Sequence, residues 1–140
     1  TLYHTTHTNF NTKIINISGK TKEYFMLENI GHDGYQAGLD YLLGGNDNTS
    51  GIAIWHIDDN QSNNGADVNH KLVDLEEAAE AGMDNSSHSG KQTNLFFSGN
   101  KTEFSDSTDP NSKTYSGTSS GITIDNISAA GDSMTFDITF

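Results

Sequence analysis

Hydrophobic and polar residues alternate along several short stretches of the chain, and this period of two predicts β-strands. The run TKIINISG at 12–19 is the first, and KEYFMLENI at 22–30 follows it. In the second run Tyr24, Met26 and Glu28 point to one side, and the residues between them point to the other. Because both sides are partly apolar, we expect 22–30 to be a central strand.

The run GIAIWHID at 51–58 has the same character and predicts a second central strand. His56 and Asp58 share one face of it, and Trp55 lies on the other. We expect Trp55 to be a core residue and His56 to be a buried structural histidine bonded to a carboxylate, with Glu28 as the candidate partner. The alternative for His56 is a catalytic or metal-binding role.

The end of the chain predicts a β-hairpin. SGITIDNIS at 120–128 and SMTFDITF at 133–140 both alternate, and the residues AAGD between them supply a turn. The last run has a fully apolar face from Met134 to Phe140, which is typical of a strand that completes a sheet over a core.

The segment KLVDLEEAAEAG leaves two structures open. Its composition over 74–82 favours a short helix that ends at Gly82. The same residues also fit a strand in which Val73 and Leu75 share one face. Turn-forming residues separate the other runs every eight to twelve positions or so. The sequence therefore predicts an all-β fold, mainly an antiparallel sandwich or sheet, with an optional short helix near 74–82, in a single domain over 1–140.

Charge narrows the classes of partner. The chain has 19 acidic residues against 7 lysines, contains no arginine, and has a formal net charge of −12. Phosphate recognition requires a basic surface, so we expect neither nucleic acid nor an anionic membrane as a partner. No apolar run of about twenty residues is present, so membrane insertion is not expected either. With no cysteine, disulfides and thiolate metal sites are excluded.

The acidic composition makes calcium the candidate cofactor, since calcium takes carboxylate and carbonyl oxygens. The loop DDNQSNNGAD at 58–67 resembles an EF-hand in composition. With Gly65 at the sixth position, however, the twelfth is Lys71 instead of the chelating glutamate, so the EF-hand interpretation fails. A different calcium site stays open, with five candidate ligands around two element ends: Asp58, Asp59, Asp67, Asp74 and Glu77.

Catalytic motifs are missing from the sequence. There is no H-E-x-x-H zinc motif, no G-x-S-x-G nucleophile motif and no phosphate-binding loop. An activity of the chain by itself would need a constellation that sequence spacing does not reveal.

Several stretches in a fixed order nevertheless resemble one family. They are EYFMLENIGHDGYQAGL, GIAIWHIDDNQ, NHKLVDLEEA, FSDSTDPNSKTYSGTSSGITIDNIS and MTFDI. Over residues 12–140 they are similar to the region downstream of the catalytic core in immune inhibitor A-type secreted zinc metalloproteases of bacteria. The family often continues VDLEE with an acidic EADG, whereas Ala78, Ala79 and Glu80 follow here.

The resemblance implies an accessory β-domain of a secreted, extracellular metalloendopeptidase. Its partner would be the catalytic domain of the same polypeptide, and zinc would be bound only there, in a part absent from this sequence. The start at Thr1 fits an excised piece of a longer protein. Two alternatives remain: an independent enzyme, or a carbohydrate- or cell-surface-binding module that uses exposed tyrosines, for which the candidates are Tyr3, Tyr35, Tyr41 and Tyr115.

Overall fold

The computed structural model describes residues 1–3, 12–31, 50–64, 67–79, 82–84 and 90–140. These residues form eight short β-strands and a 3-10 turn at Gln92–Asn94. The strands are β1 (Leu2–Tyr3), β2 (Thr12–Asn16), β3 (Glu23–Ile30), β4 (Gly51–Asp58), β5 (Val73–Leu75), β6 (Thr123–Asp125), β7 (Ser133–Met134) and β8 (Asp137–Thr139). The expected all-β, antiparallel fold is confirmed. Within the described part of the chain, no helix is long and apolar enough to cross a membrane.

The main sheet has four antiparallel strands in the order β2-β3-β4-β5. Its centre is the pairing of β3 with β4, which runs from Glu23 opposite Asp58 to Ile30 opposite Gly51. Burial alternates strictly along β3, while β4 is buried on both faces except at Trp55. Both are therefore central strands, as the alternation predicts.

Part of the segment KLVDLEEAAEAG, for which the sequence allows a helix or a strand, forms a strand. Val73–Leu75 pairs antiparallel with β4, with Leu75 opposite Trp55 and Val73 opposite Ile57. The helix option is wrong over the described residues, since 76–79 contain no helical turn. Helix propensity amounts to a few tenths of a kcal/mol per residue, whereas the strand gains ladder hydrogen bonds and packing against an aromatic neighbour.

The predicted pairing of the two terminal runs is confirmed in part. Strand β6 pairs with β8, with Ile124 opposite Ile138. The intervening β7 pairs instead with β1 at the other end of the chain. The last run was expected to bury an apolar face from Met134 to Phe140. Met134 is fully buried, but Phe140 is 84% exposed, so the buried face does not extend to the last residue.

The core lies between one face of the main sheet and the terminal strands. We call this the inner face; it carries Phe25, Leu27, Ile52 and Ile54, which are fully buried. The cluster continues through Ile15, Ile17, Ala78, Phe96, Phe104, Ile122, Ile124, Ile127 and Met134.

The first residue of β4 must be a glycine for steric reasons. Gly51 has a φ of +155°, and a Cβ there would lie 2.8 Å from the Cβ of Leu95. This close approach allows Ile52 to form a bridge with Phe96, which ties the sheet to the following loop.

Candidate functional site

His56 lies at the polar end of the inner face, between two carboxylates. It is only 2% exposed. Its Nε2 is 3.1 Å from Oε1 of Glu23, which lies on the neighbouring strand β3. Its Nδ1 is 3.1 Å from Oε1 of Glu76, which directly follows β5. We call Glu23, His56 and Glu76 the histidine triad; it joins three adjacent strands through side chains.

A stack of three rings covers the triad. The Tyr115 ring lies on His56 with centroids 4.1 Å apart and an interplanar angle of 11°. His70 stacks on Tyr115 at 4.2 Å and 27°. Two rings at these separations occupy opposite faces of the tyrosine, so Tyr115 is sandwiched. Its backbone N–H also donates to Oε1 of Glu23 at 2.7 Å.

His70, at the end of the ring stack, contacts a carboxylate outside the triad. His70 Nε2 lies 2.7 Å from Oδ2 of Asp58. The other oxygen of Asp58 accepts from the backbone N–H of Asn60 at 2.9 Å. Burial by itself would raise the pKa of Asp58, but the hydrogen bonds from Asn60 and His70 outweigh it and hold that pKa below its usual value. Asp58 is thus an ionised acceptor that closes the loop after β4.

On the Glu76 side of the triad, burial outweighs the hydrogen bonds, so the net pKa shift is opposite to that of Asp58. Burial raises the pKa of Glu76, and contact with His56 offsets this only in part. Burial also raises the pKa of the Tyr115 phenol well above its ordinary value, helped by the nearby Asp74 and Glu76 carboxylates. The phenol therefore stays neutral, and Glu76 is the carboxylate that takes up a proton more readily than a solvated glutamate.

Two adjoining pockets open beside Glu76. The first is about 490 Å³ and is lined by acidic residues that include Asp74, Glu77 and Asp84. The second is about 400 Å³ and lies between His56, Tyr115 and the loop that holds Lys113. Glu76, Asp109 and Pro110 line both. Among the described residues, Glu76 is thus the member of the triad that lines both pockets, and solvent approaches the triad from its side.

The predicted partner of His56 needs correction. Glu28 lies on the opposite face of β3 from Glu23, and it accepts a hydrogen bond from Trp55 Nε1 at 3.2 Å instead. Trp55 and His56 lie on opposite faces of β4, as expected, and His56 is buried. Trp55 is only half-buried and lies outside the core cluster, so the expectation that it is a core residue is wrong. The strict alternation of a strand excludes Glu28 from the face that holds His56.

The five candidate calcium ligands do not form one cluster, and four of them accept hydrogen bonds from protein groups. Asp59 is exposed, and Asp67 accepts the Asn69 N–H in a turn. Asp74 accepts from Lys71 Nζ at 2.6 Å. Buried Glu77 accepts from the backbone N–H groups of Gly82 and Met83 and from the Asn94 side chain, while Asp58 is held as described above.

Over the ranges that the structure describes, no group of three or more His, Asp or Glu side chains is arranged to hold a metal ion. The structure therefore does not identify the five acids as a ligand set, and calcium binding stays a prediction from composition.

The tyrosines of the carbohydrate alternative fall into two groups. Both faces of Tyr115 are covered by histidine rings, so it offers no platform for a sugar. Tyr35 and Tyr41 lie outside the described residues, and only the backbone of Tyr3 is described.

Sequence reasoning missed Glu23, Glu76 and His70, and it considered Tyr115 only as an exposed residue for carbohydrate binding. A signal existed for Glu23, because its odd position places it on the face of Phe25 in the alternating run. A weaker signal existed for Glu76, on the strand interpretation of 73–75. Tyr115 lies 92 residues from its partner Glu23, and no local pattern indicates that contact.

Comparisons of the chain with protein-family models, with curated proteins and with solved structures found no match.

Proposed function

We propose that this chain is an accessory β-domain of a secreted zinc metalloendopeptidase, and that it packs on and stabilises the catalytic domain of the same polypeptide. Proteolysis is the activity of that parent protein. The observation that carries the proposal is the apolar character of the second face of the main sheet.

We call this second face the outer face. Two cross-strand rows cross it: Ile14, Met26, Trp55 and Leu75 in one, and Asn16, Tyr24, Ile57 and Val73 in the other, so that Asn16 is the polar member of the two rows. All except Ile57 are at least partly exposed, and Ile14 is 56% exposed. An antiparallel sheet that faces water on one side normally carries polar residues there.

The outer face also has the composition of an interface. An aromatic-rich, charge-poor centre distinguishes protein contacts from ordinary surface, and contiguous exposed apolar patches mark binding sites. Glu28 is the charged residue beside the two rows on β3, and it is held by the Trp55 indole. These features favour a protein surface as the occupant over a sugar or a nucleic acid.

The polar end of the inner face supports a structural role. His56 has both ring nitrogens engaged by carboxylates and one ring face covered by Tyr115. A histidine with this surrounding stabilises a fold, and it leaves neither nitrogen open for a substrate or a metal. The chain would then contribute stability and shape to the parent enzyme.

The first test is the parent gene, which should encode an H-E-x-x-H segment upstream of these residues. The second is Ile14→Asp in the full polypeptide, with Phe140→Asp as the control. Both replace an exposed apolar residue, but only Ile14 lies on the outer face. We expect Ile14→Asp to accelerate limited proteolysis between the two domains and to shorten the thermal half-life of peptidase activity, and Phe140→Asp to change neither.

A gene without the zinc motif would overturn the proposal. So would a full polypeptide in which Ile14→Asp behaves like Phe140→Asp in both measurements.

A further inference from the structure

The histidine triad contains more hydrogen-bond contacts than a neutral histidine satisfies. Both ring nitrogens of His56 lie 3.1 Å from a carboxylate oxygen. A neutral imidazole has one N–H and one lone pair, and an ionised carboxylate only accepts. With both glutamates ionised and His56 neutral, a lone pair would face a carboxylate. The contact is favourable only when one further proton lies on the second nitrogen or on the facing carboxyl group.

We propose that the Glu23–His56–Glu76 triad binds this additional proton and acts as a pH-sensitive latch that holds the loop around Tyr115 on the main sheet. The proton is shared by a coupled group, so its release is a property of the triad as a whole. When it leaves, a buried lone pair and a carboxylate face each other, and the contact between the β4 and β5 sides weakens.

The surroundings favour retention of the proton. Glu23 is 6% exposed and Glu76 lies close to the acidic pocket, so the triad without the proton would carry two negative charges in a poorly solvated place. Several described charged or titratable groups face the triad. Lys20 pairs with Glu23, and the neutral Tyr115 and the His70–Asp58 pair lie over His56. On the Glu76 side are Asp74 and Asp84 with Lys71 between them, and Asp109 and Lys113 across the second pocket.

The triad is connected directly to the loop. Glu23 Oε1 accepts the Tyr115 N–H and also contacts His56 Nε2, so one oxygen joins the sheet to the loop. The Tyr115 ring lies on the His56 ring. A change in the position of either His56 or Glu23 therefore acts on Tyr115.

The direction of the pH dependence follows from linkage. Above the ordinary histidine pKa of about 6.5, the unfolded chain holds one proton on this histidine and none on the two glutamates. The folded triad holds one more, so folding takes up a proton and stability falls as pH rises until the triad releases it. Over that window the unfolding equilibrium constant rises by up to about tenfold per pH unit.

The test compares wild type with Glu76→Gln between about pH 6.5 and 9, by denaturant unfolding. The glutamine amide donates to Nδ1 of a neutral His56, so the extra proton is no longer required. We expect the wild-type unfolding constant to rise more steeply with pH than that of Glu76→Gln. Asp59→Asn is the control, because it removes the charge of an exposed carboxylate next to β4. The unfolding constant of this variant should depend on pH as steeply as that of wild type. If Glu76→Gln does not fold, Glu23→Gln places an amide donor at the other nitrogen. Because Glu23 Oε1 also accepts the Tyr115 N–H, only the unfolding slope of that variant is compared with wild type.

Hydrogen exchange of the folded wild type tests the latch separately. The Tyr115 amide donates to Glu23, whereas the Gly121 amide in the same loop donates to Asp106. We expect the protection of Tyr115 to fall relative to that of Gly121 as pH rises. Parallel unfolding slopes in wild type and the glutamine variants would overturn the extra proton, and a constant ratio of protection would overturn the latch.

Discussion

At the scale of single residues, the environment of a side chain depends on whether it occupies an odd or an even position of its strand, because alternate residues face opposite sides of the sheet. Phe25 and His56 are opposite each other on β3 and β4, with ring centroids 4.5 Å apart, and Phe25 also meets Phe104 edge-on at 5.2 Å. Trp55, one position away from His56, lies on the half-buried outer face. Neighbours in sequence therefore differ sharply in how much of their surface the fold removes from water.

This difference predicts the order of two truncations. Phe25→Ala empties a fully buried site and should lower the free energy of unfolding by about 3–5 kcal/mol. Trp55→Ala should cost less, because part of the indole is exposed already and its N–H bond to Glu28 is accessible to water. Denaturant unfolding of both variants measures the order. A larger loss for Trp55→Ala would show that the outer face is buried more completely than the structure describes.

At the scale of elements, the 105–121 segment is organised by one carboxylate and not by a helix or strand. Asp106 accepts from the backbone N–H groups of Ser120 and Gly121 at 3.0 Å each, and from the hydroxyl of Ser119. Ser112, whose Oγ lies 3.2 Å from Asp106, donates its hydroxyl proton to the carbonyl of Ile122 at 2.7 Å. The loop that places Tyr115 on the triad is therefore closed at its base by Asp106.

We expect Asp106→Ala to lower the free energy of unfolding by about 1–3 kcal/mol, because it leaves several donors without an acceptor. Burial alone would raise the pKa of Asp106, but these hydrogen bonds outweigh it and lower the pKa. Its contribution is thus present above the ordinary aspartate pKa of about 3.9 and is lost as pH falls through the lower folded value.

Thermal melting from about pH 7 to pH 2 should accordingly show that Asp106→Ala loses less stability in acid than wild type does. Asp125→Ala, at an aspartate in β6, is the control and should keep the wild-type acid dependence. Identical acid profiles for wild type and Asp106→Ala would contradict this account of the loop.

At the scale of the whole molecule, the net charge of −12 on 140 residues opposes compaction. The apolar core is small, since hydrophobic residues make up 32% of the chain. The structure places several acids against amide, hydroxyl or lysine donors, as at Asp74 and Asp106, which offsets part of the repulsion. The remaining repulsion acts between exposed charges and is sensitive to salt.

Sodium chloride should therefore stabilise the protein at pH 7.5. Raising it from about 10 mM to about 500 mM should increase the melting temperature, and about 1 kcal/mol of relieved repulsion corresponds to roughly 3–5 °C for a chain of this size. The same addition near the isoelectric point of about 4.5 is the control, since the net charge there is close to zero. Equal shifts at both pH values would assign the effect to general salting-out.

The sequence by itself determined the local features of this protein. Alternation of residue type identified β3, β4 and the terminal strands, and it separated the faces of Trp55 and His56, because strand periodicity is a property of adjacent residues. The excess of acidic residues argued against nucleic acid as a partner, because net charge depends on the number of charged residues and not on their positions in the fold. The all-β fold followed from these local signals together.

Tertiary structure alone decided the contacts between distant residues. Whether 73–75 became strand or helix depended on pairing with β4, which outweighed the helical composition of the segment. The carboxylates beside His56 were set by strand register, which placed Glu23 there and Glu28 behind Trp55. Tyr115 reached the triad through a loop closed by Asp106. Contacts of this kind depend on which strands pair, on their register and on loop closure across many residues. A local sequence pattern indicates the face on which a side chain lies, but it does not identify the distant residue that the side chain contacts.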